Sequence, residues 1–174
     1  MPRHQASQAR RQEIDSLDAW SFFHLGLNHI YRFTEHDNAL SAQYFKEALA
    51  RAPNFARAHA GLSFVAFQRA FTGFGSDRAA AAQDALRAAE MAMAQSPDDP
   101  FSNFVLGRSY WVLQDLDSAT HYLEQAVALN PNYAQGHYSL GLVQALNGAT
   151  SHIDERADQA KRLSPLDPLL YGIY

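Results

Sequence analysis

The chain has 174 residues, 47% of them hydrophobic, and a formal net charge of -4 at pH 7, which is enough length and apolar content for one domain with a continuous core. Its 14 Lys and Arg are scattered among 18 Asp and Glu, so the clustered positive charge that a phosphate backbone requires is missing and nucleic acid is excluded as a partner. With no Cys, disulfides, thiolate nucleophiles and Cys-ligated metals are excluded together, and a reducing, cytoplasmic setting is the compatible one.

In chain order, Pro2 to Glu13 is polar, rich in Arg and Gln, and carries no apolar stripe; residues 1–14 therefore read as a flexible lead-in, with too little area to bury against its chain entropy. The opening Met1-Pro2-Arg3-His4-Gln5 has no signal-peptide core, and no later apolar run approaches the roughly 20 residues that span a bilayer. A first helix is expected from about Asp15 or Ser16, because Leu17, Trp20, Phe23, Leu27, Ile30 and Tyr31 recur at steps of three and four. A second follows over about Asn38 to Ala52 and is stopped by Pro53.

The pattern restarts at Ala56 and again closes on a proline, Pro97, then on Pro131 and Pro165. The last two intervals are each 34 residues, whereas Pro53 to Pro97 is 44. The excess falls around Phe71-Thr72-Gly73-Phe74-Gly75-Ser76-Asp77, where two glycines break a helix and Ser76 or Asp77 can cap the next. Both helices of that second unit should be longer than the norm and should meet in an exposed aromatic turn. After Pro165 the apolar segment Leu166 to Tyr174 reads as a cap over the last hairpin, as a surface for a second copy, or as a boundary within a longer protein.

The unit from Pro97 to Pro131 is the most complete: Pro97-Asp98-Asp99-Pro100, Asn103, Leu106-Gly107, Tyr110, Ala119, Leu123, Ala126 and Asn130-Pro131. These spacings resemble the tetratricopeptide repeat (TPR), a helix-turn-helix of about 34 residues. Leu25-Gly26 and Leu140-Gly141 repeat its Leu-Gly pair, Phe22, His59 and His137 its large residue, and Ser41 stands where Ala is usual. The resemblance implies an all-α, right-handed α-solenoid of about four hairpins plus a short C-terminal capping helix, with repeats at about 15–53, 54–97, 98–131 and 132–165 and the cap at 166–174. It also implies a protein-binding scaffold with no chemistry or cofactor of its own.

Nothing in the sequence argues for catalysis. The eight His show no His-Glu-x-x-His, and His24 and His29 are five apart, which splays them on a helix. His121 with Glu124 reads as a solvated pair, and the Gly73-Phe74-Gly75-Ser76 turn lacks the Lys and third Gly of a phosphate loop.

TPR arrays usually bind peptides through the inward positions of their first helices. Carried onto this sequence, those positions include Trp20, Phe23, Leu27, Ile30 and Tyr31, then Arg57, Phe64, Phe67 and Gln68, then Phe101, Phe104, Arg108 and Trp111, then Gln135, Tyr138 and Leu142. The expected partner site is an aromatic groove at repeats two and three: Phe67, Phe104, Arg108 and Trp111 form its floor, and Arg57 and Tyr138 extend it. Its ligand is expected to be a protein or peptide. The Lys, Asn and Arg that clamp a terminal carboxylate in the chaperone-binding version are replaced here by Phe, Leu, Ala and Val. Asp18-Ala19-Trp20, Phe55-Ala56-Arg57-Ala58-His59-Ala60-Gly61-Leu62 and Leu163-Ser164-Pro165-Leu166-Asp167-Pro168 further resemble the C-terminal repeat modules of bacterial class III adenylate cyclase-like proteins and winged-helix regulators. That resemblance implies a regulatory or dimerisation module in signal transduction.

Overall fold

The computed structural model describes residues 2–75, 77–148 and 153–166, with side chains from Ser16 onward except that of Ile153. Eight helices follow one another among the described residues: α1 (Pro2–Ile30), α2 (Glu35–Arg51), α3 (Ala56–Thr72), α4 (Arg78–Gln95), α5 (Pro100–Val112), α6 (Leu116–Leu129), α7 (Ala134–Leu146) and α8 (Ile153–Leu163). No strand occurs among the described residues. Each odd helix pairs with the even helix that follows it, and the hairpins stack mainly through α2 on α3, α4 on α5, α6 on α7 and α3 on α5. This is an all-α solenoid of four hairpins.

The helix boundaries have local causes. Thr34 caps α2 by accepting the Asp37 amide at 3.0 Å, and Asp37 in turn accepts from Thr34 Oγ1 at 2.6 Å and from His29 Nδ1 at 2.7 Å. These bonds, Thr34 first and then His29 and the nearby Arg32, hold the Asp37 carboxyl below its ordinary value against some desolvation. Gly73 ends α3 at φ 82, a left-handed conformation that glycine adopts without a Cβ penalty, and Asp77 caps α4 through the Ala80 amide. The second hairpin is longer than the third, as its ten extra residues require: α3 and α4 have 17 and 18 residues against 13 and 14 in α5 and α6, although α2 equals α3 at 17 and α1, at 29, exceeds both. Phe71 at its turn is half exposed.

One departure lies at the start. α1 begins at Pro2, not near Asp15, so the polar lead-in continues the first helix. Arg, Gln and Ala are good helix formers, and adding residues to a formed helix avoids the unfavourable nucleation step. At the other end, the expected cap lies outside the described residues beyond Leu166, which is itself exposed.

A tie repeats from hairpin to hairpin. His59 Nε2 lies 2.9 Å from the Pro53 carbonyl, Asn103 Nδ2 2.7 Å from that of Pro97, and His137 Nε2 2.9 Å from that of Pro131. Each is six residues past its proline, so the repeat's large-residue slot also hydrogen-bonds the closing carbonyl. A carbonyl can only accept, which assigns the proton to Nε2 in both histidines.

Backbone approach within the third hairpin is close enough to test. A Cβ at Gly107 would sit 2.7 Å from Leu123 Cγ and 3.0 Å from the Ala119 carbonyl oxygen. Gly107→Leu is therefore expected to force α5 and α6 apart and to cost about 1–3 kcal/mol, read as a lower midpoint in urea. An unchanged midpoint would mean that the crossing can open freely.

Candidate partner-binding groove

Two cavities line the row of odd helices. The first, about 250 Å³, is bounded by Phe23 and Leu27 of α1, Tyr31 just after it, Arg57 of α3, Phe101 of α5, and Tyr133 just before α7. Asp99, the residue before α5, closes it, with its Oδ1 3.2 Å from an Arg57 guanidinium nitrogen. The other carboxylate oxygen of Asp99 is buried and has no hydrogen-bond partner. Tyr133 packs against Phe104 at a ring separation of 5.0 Å, and burial, then its neighbour Tyr31, pushes its hydroxyl well above the ordinary tyrosine range. The cavity thus offers an apolar wall with one donor and one open acceptor at its edge.

The second cavity, about 230 Å³, is bounded by Phe33, Phe71, Thr72, Arg108, Trp111, Gln135, Tyr138 and Ser139. Phe33 holds φ 53, a left-handed conformation disfavoured for a bulky aromatic residue. Arg108 is 7% exposed, and its guanidinium carbon stands 3.6 Å from the centre of the Phe67 ring, 4.6 Å from Phe64 and 5.1 Å from Phe104. Ring faces are electronegative and favour the cation. Burial nevertheless pushes the guanidinium down to about 9, opposed only by the phenols of Tyr133, Tyr138 and Tyr31, so it remains cationic at pH 7.

Solved repeat proteins match this architecture over most of the chain. A thermophilic TPR protein from Thermus thermophilus shares 23% identity over 84% of this chain and 75% of its own, with a TM-score of 0.64. The fold is a tetratricopeptide-repeat solenoid. PilF of Pseudomonas aeruginosa aligns at 19% identity over 90% of this chain and 65% of its own (TM-score 0.66), and MamA from Desulfovibrio magneticus at 18% over 87% and 78% (TM-score 0.58). No family model matches the sequence, and no curated protein matches it. The finer likeness to cyclase-associated and winged-helix modules therefore rests on the sequence phrases alone.

Within this TPR array the six expected partner residues divide by depth. Arg57 and Tyr138 line the two cavities at or near the surface. Arg108 and Trp111 reach the second cavity but are buried, Trp111 being 8% exposed and packed on Phe67 and Phe71 at 5.6 and 5.4 Å. Phe67 and Phe104, at 1% and 0% exposure, are core residues with no surface to offer; they lie beneath Arg108, not along the floor. Phe64 and Gln68 are likewise core. Trp111→Ala should consequently lower stability, so Trp111 is a poor probe of binding. Sequence reading missed Ser139 and Asp99, each of which has a buried oxygen without a partner; neither residue stands out in the local sequence.

Other constellations form no site. His29 Nδ1 on Asp37 orients an imidazole as in a catalytic dyad, but among the described residues no nucleophile is hydrogen-bonded to it, and no group of three metal-ligating side chains occurs there. No helix among them is long and apolar enough to cross a membrane.

Proposed function

We propose that the chain is a protein-interaction scaffold, working in the cytoplasm, that takes an extended peptide in the cavity between Tyr31, Arg57, Phe101 and Tyr133. The observation that carries the reading is the Arg57–Asp99 pair at the rim. Arg57 has donors to spare for a peptide carbonyl, and the partnerless buried Asp99 oxygen suits a peptide N–H, while the rings beside them take an apolar side chain. A TPR fold supports such a role, since stacked hairpins present extended surfaces.

Panning a displayed peptide library against the whole chain supplies the test. Selected peptides are expected to lose roughly tenfold or more in affinity on Arg57→Ala, as for a truncated interface arginine. Arg87→Ala, an exposed α4 residue paired with Asp84, should change little. Peptides that bind the Arg57→Ala protein as tightly as the original would remove this cavity from the binding surface.

A further inference from the structure

The second cavity contains an electrostatic imbalance that the peptide reading leaves unused. Among the described residues Arg108 makes no ion pair, its Nε is buried without a hydrogen-bond partner, and two more buried atoms on the same cavity share that condition: Ser139 Oγ and Gln135 Oε1. A buried cation is normally matched by a carboxylate, since desolvating it alone is costly. Three orphaned polar atoms on one small cavity mark a place where a missing group would complete the pairing.

We propose that this cavity binds an organic carboxylate with a flat apolar body. A carboxylate is acceptor-only when ionised and can take the Arg108 Nε–H together with the Ser139 hydroxyl. Gln135 lies on the same wall and can turn its amide N–H₂ to a carboxylate oxygen as readily as its Oε1 to a donor. Trp111, Phe71 and Tyr138 supply the faces for the apolar body. At about 230 Å³ the cavity lies below the usual range for drug-sized ligands, which limits the guest to a small acid or to one residue of a chain. The phosphate dianion is a worse match, because a single buried cation leaves one of its charges uncompensated. The site would fill with no protein bound at the Arg57 cavity, and so goes beyond the scaffold role.

The probes are 3-phenylpropionate and its carboxamide, inorganic phosphate, acetyl-Ala-Ala-Phe with a free or amidated C-terminus, and acetyl-Ala-Glu-Ala-amide. Each is titrated into the whole chain while the Trp111 indole N–H and Arg108 Nε–H resonances are followed. Saturable shifts with phenylpropionate are expected, with the carboxamide and phosphate each at least roughly tenfold weaker, as for loss of a charged hydrogen bond. Arg108→Met should abolish binding of the acid. Ser139→Ala, which removes one oxygen and keeps the packing, should weaken it several-fold and serves if the first variant does not fold, while Arg87→Ala on the far side leaves it unchanged. Binding by the free acid alone identifies a small-molecule site; preference for the free tripeptide or for the glutamyl peptide identifies a chain terminus or an acidic side chain as the source. The proposal is overturned if no carboxylate probe saturates by about 10 mM, beyond the millimolar limit of weak affinity. Equal binding of acid and carboxamide, tighter binding of phosphate, or undiminished binding by the variants would overturn it equally. The peptide measurement at Arg57 is scored separately and reads only the scaffold role.

Discussion

Replacing Phe45 with Ala is expected to remove about 3–5 kcal/mol of stability, the range for a large buried aromatic, and to lower the melting temperature by roughly 6–20 °C in a chain of this size. Phe45 is 0% exposed and sits where the first two hairpins meet. Its ring lies against two glycine backbones at once, since a Cβ added at Gly26 or Gly61 would come within 2.5 or 2.6 Å of it, and Phe23 covers it at 5.8 Å. Rigid backbone forms these walls, so the space left by truncation cannot be refilled by side-chain rearrangement, and the cavity cost adds to the transfer cost. Thermal melting by circular dichroism at 222 nm measures it. A loss below about 1 kcal/mol would show that α1 and α3 close over the gap and that the two hairpins do not depend on this ring.

Gln68→Leu is expected to be the next most damaging change, although it puts a hydrophobic residue into a core. Gln68 Nε2 donates to the Ile30 carbonyl at 2.8 Å and Gln68 Oε1 accepts from Asn38 Nδ2 at 2.9 Å, with Asn38 also donating to the Val65 carbonyl at 3.1 Å. Both side chains are buried. Leucine satisfies none of these groups, and a buried polar group left without its partner costs about 1–3 kcal/mol. Asn38→Leu alone should behave similarly. The double variant should lose less than the sum of the two, because the orphaned amide is then gone; coupling of at least about 0.5 kcal/mol is the expected signature of contacting residues. Strict additivity would mean that the amide pair contributes nothing.

Gln68 also illustrates what was legible in the sequence. Apolar steps of three and four, closing prolines and the 34-residue interval located the hairpins, and the ten extra residues before Pro97 announced a second hairpin longer than the third, because each of these is a local property of the chain. The resemblance to the TPR pattern placed Gln68, Phe67 and Phe104 on the inward face. Depth on that face is set by the curvature of the stack, which brings α3 against α5 and covers all three residues; no single helix encodes it. The same limit explains Asp99 and Ser139: an oxygen is recognisable as partnerless only after every neighbour has been placed. Continuation of α1 back to Pro2 escaped for another reason, since it rests on helix propensity and on a helix already formed, and an apolar stripe carries no signal of either.

Stacked hairpins of one architecture carry a hazard of their own during folding, when a unit can pair with the wrong neighbour and trap the chain. The buried amide pair between Asn38 and Gln68 joins the first hairpin to the second, and Ser63 meets Ser109 at 3.2 Å between the second and third. Shuffled order would set an amide or a hydroxyl against a hydrocarbon surface, a mismatch of the kind that lets polar groups discriminate between partners. These bonds act as addresses written into the core: they make the order of assembly part of what the sequence encodes, where apolar packing alone would accept several arrangements.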